Sequence, residues 1–350
     1  MTSTCYIIPA SSLLLTTTLL AAPLGPTQCL EVTGDAERLA CYDAAMSRVQ
    51  PEPETATVPL ASKTASEQGE PTPGPSRRAA GHSMLDTAWE LEPSSKLGTF
   101  IMRSFRPTYI LPVFYTPTPN SSPINNSSTP SIGTSDRLQR TEAKFQISLK
   151  TKLVQNLFKD NGDIWLGYTQ TSRWQVYNRE LSRPFHETNY EPEAALVLRT
   201  NYDLLGWHGR LLSLSLNHQS NGRSQPLSRS WNRVIAGVGL EKGGWSVVFR
   251  PWWRIPESTN DDNPGIENYI GRGSVTVMRQ EGDHALTLTA RHSFRFGNAS
   301  RGSVQAEWGF PIKGNLKGYV QLFSGYGESL IDYNYRNNYI GLGFSLIDGY

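Results

Sequence analysis

From about residue 90 to its end the chain is written in short runs of alternating apolar and polar residues. KFQISLKTKL (144–153), ALVLRTNYDL (195–204), RLLSLSLNH (210–218), HALTLTARHSF (284–294) and YIGLGFSLI (339–347) are examples, separated by turn clusters such as KDNGD, EKGG and PIKGN. A period of two puts successive side chains on opposite faces of a β-strand, so this region is a sheet with two chemically different faces. Eleven such segments follow residue 144, and FRPTYILPVFY before them makes about twelve, an even count that suits a closed antiparallel barrel. Mean hydropathy is −0.42, and no uncharged run of about 20 residues follows the N-terminus, which excludes a bundle of membrane helices. It does not exclude a transmembrane barrel, where only every second residue of a strand meets lipid. The expected fold is therefore an all-β antiparallel transmembrane β-barrel, with a soluble β-sandwich as the alternative. In the last segment Ile340, Leu342, Phe344 and Leu346 share one parity with the final Tyr350, the pattern of an outer-membrane assembly signal. Nine Trp and 15 Tyr supply interfacial girdles.

The region before the barrel has a different texture. Residues 1–22 carry an apolar run ending in small residues and read as a secretory signal, although no Lys or Arg precedes it. Residues 23–49 read as a short helical element that keeps Cys29 and Cys41, a pair able to form one disulfide in an oxidising compartment. Residues 50–85 are rich in Pro, Glu, Ser and Thr and read as a disordered linker on the periplasmic side, leaving 86–350 for the barrel. Formal net charge is +2 with no basic block, which argues against nucleic acid as a partner.

One barrel segment breaks its own pattern. Leu212, Leu214 and Leu216 are followed on the same face by His218 and Ser220, and the next strand continues Ala236 and Val234 with Asn232. If the two strands form a hairpin about Gln225, His218 faces Asn232 at hydrogen-bonding range. The cluster then holds a nucleophile (Ser220), a base (His218) and an orienting amide (Asn232) on an apolar wall. A substrate reaching that wall comes from the membrane, and phospholipid esters lie at headgroup depth. The competing reading is a polar band at the membrane interface in a passive barrel, pore or adhesin. Gln170 breaks the apolar parity of Leu166, Tyr168 and Trp174 in the same way, and a polar group facing lipid calls for a partner.

The stretch NHQSNGRSQPLSRSWNR (217–233) resembles the active-site signature of the outer membrane phospholipase A family. YTQTSRWQ (168–175), PFHETNYEP (184–192), DDNP (261–264) and SGYGESLIDYN (324–334) resemble it in the same order, densely from 165 onward and not at all over 1–85. The resemblance implies a twelve-stranded outer-membrane barrel that hydrolyses acyl esters of glycerophospholipids and lysophospholipids, active as a homodimer with Ca2+. It implies Ser220 as nucleophile, His218 as base and Asn232 as third member, with the Gly222 N–H at the oxyanion. It further implies Arg223 (through its carbonyl), Ser228 and Asp262 as calcium ligands, Ser182 as a ligand from the other subunit, and Gln170 in the subunit interface. The chain departs from the pattern at Gln219 and Gln225, where acidic residues are expected, and at Leu227, where Thr is expected. Two residues also appear inserted before DDNP, which leaves Asp261 and Asp262 in competition for one role.

Overall fold

The computed structural model describes residues 29, 32–45, 83–120, 123, 138–257, 261–314 and 316–347. The expected signal at 1–22, most of the linker over 50–85, most of the loop after residue 120 and Tyr350 lie outside the described residues. The chain divides into two units, 1–72 and 73–350. In the first, helix α1 (Asp35–Ala45) carries Cys41, which is disulfide-bonded to Cys29 as the sequence allowed.

The second unit is a closed antiparallel barrel. It opens with a short helix, α2 (Met84–Trp89), capped by the Ser83 side chain, which accepts from the Asp86 N–H. The described residues of this unit begin at Ser83, and the expected boundary of 86 falls within α2. The strands are β1 (Met102–Ser104), β2 (Thr108–Tyr115), β3 (Thr141–Val154), β4 (Asp163–Trp174), β5 (Phe185–Leu204), β6 (Trp207–Ser220) and β7 (Ser230–Lys242). After them come β8 (Trp245–Ile255), β9 (Gly273–Glu281), β10 (His284–His292), β11 (Gly302–Lys313), β12 (Leu316–Tyr326) and β13 (Arg336–Ile347). Each strand from β2 on pairs with the next, and β13 pairs back with β2, so twelve strands close the ring. β1 lies on β3 beside β2 and continues the same wall below a break at Phe105–Pro107. Closure removes the sheet edges that the sandwich alternative would leave. No described helix is long and apolar enough to cross a membrane.

The faces are inverted relative to a protein that folds in water. Leu212, Leu214 and Leu216 are 42%, 55% and 61% exposed, and Ile340, Leu342, Phe344 and Leu346 are exposed likewise. Lys144, Lys150, Lys152, Arg173, Glu191 and Glu193 are buried. An apolar wall of this extent is stable only against lipid. The lumen stays buried because its charges are paired: Arg173 donates to Glu142 (2.6 Å), Glu328 (2.8 Å) and Asp332 (3.1 Å), and Lys144 reaches Glu328 (3.1 Å). One end of the barrel has mostly tight turns, with two-residue connections at 205–206, 243–244 and 282–283. The other carries the long loops, including 221–229 and 256–272. Segment 83–97 fills the tight-turn end. Leu85 packs with Trp165, Val197, Leu211 and Met278, and its N–H donates to Glu241 (2.7 Å). Glu90 takes Arg103 (2.7 Å) and Lys152 (2.9 Å), while Lys150 lies 3.5 Å from the Trp89 ring centre.

Candidate active site

The pairing of β6 with β7 sets the site. Its register places Leu216 opposite Val234, His218 opposite Asn232 and Ser220 opposite Ser230. All lie on the outer face, continuing the exposed leucine row toward the long loops. His218 Nδ1 and Asn232 Oδ1 are 2.8 Å apart. An amide oxygen can only accept, so Nδ1 carries the proton and the Nε2 lone pair is left to act as base. Ser220 comes two residues further along the same face. Among the described residues no hydrogen bond joins its Oγ to the ring.

The loop from 221 to 229 is closed by Asn221, which the sequence reading passed over. It is buried; its Nδ2 donates to the Leu227 carbonyl (2.9 Å), and its Oδ1 accepts from the N–H groups of Arg229 (2.9 Å) and Arg223 (3.3 Å). Gly222 follows at φ +64°, where a Cβ would stand 3.1 Å from the Tyr190 ring, so the position demands glycine. Its N–H has no acceptor among the described residues.

The loop meets a second one across the rim. Ser228 Oγ and Gln225 Nε2 both donate to the carboxylate of Asp262. Asp261 instead holds Arg254 (2.6 Å) and the Asn263 N–H (2.9 Å). The geometry therefore brings Ser228 and Asp262 together and turns Asp261 away. The Arg223 side chain is drawn to Glu187 (3.2 Å) and to the His186 carbonyl. Ser182 sits apart, exposed at φ +57° in the loop between β4 and β5. No cluster of three or more His, Cys, Asp or Glu fit for a metal occurs among the described residues. The donors present are a carboxylate, a hydroxyl and carbonyls, the hard oxygens that calcium takes, but fewer than its usual six to eight.

Two neighbours complete the electrostatics. Glu257 lies just past Ile255, the register partner of Asn232. Burial holds its carboxyl above the ordinary range, Asp261 and Asp262 push the same way, and Arg254 opposes them. Nothing in its sequence context marked it. Gln170 is on the outer face, where its Oε1 accepts from Tyr168 (3.1 Å). It stands opposite Tyr190, which stands opposite Ser220. One lateral row thus runs from Gln170 to the serine.

Comparison with known proteins gives a consistent answer. The family model described as Phospholipase A1 matches residues 85–346. A putative phospholipase A1 of Neisseria meningitidis serogroup B is 36% identical over 365 residues, covering 94% of each chain. That coverage extends into the first 85 residues, where no family resemblance was read. Phospholipase A1 of Escherichia coli is 37% identical over 228 residues, 65% of this chain and 77% of that one. Among solved structures, the Salmonella typhi outer membrane phospholipase dimer with bound calcium superposes with a TM-score of 0.65 at 35% identity, over 72% of this chain and 94% of that one. Escherichia coli outer membrane phospholipase A gives 0.65 at 35%, over 72% and 100%.

Proposed function

The chain belongs to the phospholipase A1 family of carboxylic ester hydrolases, and from that premise we propose that it cleaves acyl esters of glycerophospholipids and lysophospholipids at the outer face of its barrel in the bacterial outer membrane. The observation that carries the reading is the 2.8 Å contact between His218 and Asn232 on a lipid-facing wall, two residues from Ser220.

Ser220 Oγ attacks the ester carbonyl carbon as its proton passes to His218 Nε2. Asn232 holds the Nδ1–H and so keeps the ring in the tautomer that has Nε2 free. Being neutral, it stabilises the imidazolium less than a carboxylate does. The Gly222 N–H would donate to the oxyanion, a contribution of roughly 2.7–4 kcal/mol per donor in such sites. Collapse expels the lysolipid alkoxide, which takes the proton from Nε2, and leaves an acyl-Ser220. Water then gives a proton to Nε2, attacks the acyl carbon and releases the fatty acid.

Arg223 (through its carbonyl), Ser228 and Asp262 would hold calcium, with Ser182 of the partner subunit adding a ligand. Bound there, the ion supplies positive charge beside the oxyanion. Among the described residues one chain brings fewer oxygen donors together here than calcium takes, which supports a site finished by dimerisation. The row from Gln170 through Tyr190 to Ser220 supports Gln170 at that interface. With the long loops outward, the segment that precedes the barrel would be on the periplasmic side.

Fatty-acid release from mixed micelles tests the reading. Release by the wild type should stop with excess chelator, and Ser220→Ala should lose it by several orders of magnitude while still folding. Undiminished release by Ser220→Ala would remove the serine from its role. No release from the folded wild type with calcium would favour a passive barrel.

A further inference from the structure

The outer wall holds a second feature, at the membrane surface opposite Ser220. Across β8 to β12, near the tight turns, two lateral rows of outward side chains run in register. One is Trp245, Arg279, Leu286, Trp308 and Val320; the row above it is Val277, Leu288, Ala306 and Leu322. Ala306 is the small member of a row of large ones. The gap left over it is a groove of about 330 Å³, lined by Val277, Leu286, Leu288, Trp308 and Leu322, with Arg279 at its edge. That volume falls in the range of small-molecule sites.

We propose that this groove binds one acyl chain of a phospholipid from the inner leaflet, with the anionic headgroup on Arg279. A lipid chain gains nothing hydrophobic by leaving its neighbours for a protein wall, because both are equally apolar. Selective binding there needs shape and charge, and the groove has both. The missing side chain at Ala306 lets an acyl chain contact walls on both sides, which a flat wall does not. The guanidinium is held in place at the tight-turn end: Nη1 donates to the Gly243 carbonyl (2.6 Å), and the group stacks over Trp245 at 5.3 Å. Its carboxylate neighbour, Glu281, is 3.6 Å away with a side chain 80% exposed, so a phosphate can replace it. Planar guanidinium matches phosphate oxygens two at a time. On the far side Trp308 stacks with His284 (ring centres 6.1 Å apart), and its Nε1 donates to His284 Nδ1 (3.3 Å), which fixes the indole as a wall. Trp245 and Trp308 also mark headgroup depth, where a chain and its phosphate part company.

The test is native mass spectrometry of the delipidated full-length protein titrated with dialkyl-ether phosphatidylglycerol or its phosphatidylcholine counterpart. Ether lipids are not hydrolysed, so the result is independent of the catalytic assignment. The wild type should retain one phosphatidylglycerol per chain in preference to phosphatidylcholine. Ala306→Leu should weaken that binding at least about tenfold, as expected when a well-fitted chain is displaced. Arg279→Gln should weaken phosphatidylglycerol binding about fivefold or more and phosphatidylcholine, whose choline already offsets its phosphate, by less, so that the preference for the anionic headgroup falls. Inorganic phosphate should not displace the lipid. Equal retention by wild type and both variants would reduce the groove to ordinary annular wall and overturn the proposal. Displacement by phosphate alone, or a change in dimer content with Ala306→Leu and none in lipid, would overturn it as well.

Discussion

Asn217 and His218 are neighbours on one strand, and they face opposite worlds. Asn217 points into the lumen. Its amide donates to Glu191 (3.0 Å) and Glu193 (3.2 Å) while its oxygen accepts from Arg233 (2.6 Å). The His218 side chain points outward and, among the described residues, makes one hydrogen bond, to Asn232. Next to it Ser220 makes none to the ring, and the Gly222 N–H finds no acceptor among the described residues. The lumen is crowded with charged groups that pair with one another; the wall has few polar groups, with bonding capacity left over. A buried polar network with every partner in place is structure. Polar groups set in an apolar face with capacity unspent are poised for a ligand. Chemistry in this barrel is therefore sought where polarity is scarce.

The largest effect expected from attacking that distinction is in the lumen. Arg173→Met leaves Glu142, Glu328 and Asp332 without their shared cation. Removing one partner of a buried pair costs about 3–5 kcal/mol. Urea titration of the barrel folded in lipid vesicles should show a loss of that size, while hydrolysis per folded molecule holds. A variant as stable as the wild type would mean that the lumen charges are not structural.

A matched pair sharpens the comparison with a smaller effect. Asn217→Ala should destabilise by about 1–3 kcal/mol, the cost of buried groups left unpaired, and leave the rate per folded chain alone. Asn232→Ala should do the reverse. Its stability should be near wild type, with the rate lowered roughly tenfold to a hundredfold as the imidazole loses its fixed tautomer. Equal effects of the two variants on rate would erase the boundary between lumen and wall.

What could be read in the sequence follows the same boundary. The outer face announces itself, since apolar residues at period two are a strong signal, and a polar interruption stands out against them. His218 and Asn232 were legible because a hairpin brings together residues only 14 apart. The contact of Ser228 with Asp262 spans 34 residues and two loops, and only the family resemblance pointed there. The start of β5 was missed because FHETNYEPE places Glu187, Asn189, Glu191 and Glu193 inward, so the strand carries no apolar stripe at that end. The expected boundary between linker and barrel falls inside helix α2, after Leu85, for a different reason: six residues carry too little pattern, and its anchors on Glu241 and Lys152 lie far along the chain.

That plug offers the gentlest test. Burial tends to raise the Glu90 carboxyl, but the Leu97 N–H, Lys152 and Arg103 outweigh it and hold the group below the ordinary value of 4.5. A carboxyl lowered on folding adds stability above the unfolded value and loses it as pH falls through the folded one. Segment 83–97 should therefore loosen before the wall does on acidification from about pH 6 to about pH 3. Hydrogen exchange, corrected for intrinsic rates, should show rising exchange at 83–97 with the strands still protected. Glu90→Gln should exchange faster at the upper pH and lose much of the difference between the two. If plug and wall open together at every pH, segment 83–97 is part of the barrel's single cooperative unit, and its charges belong to the same class as Arg173.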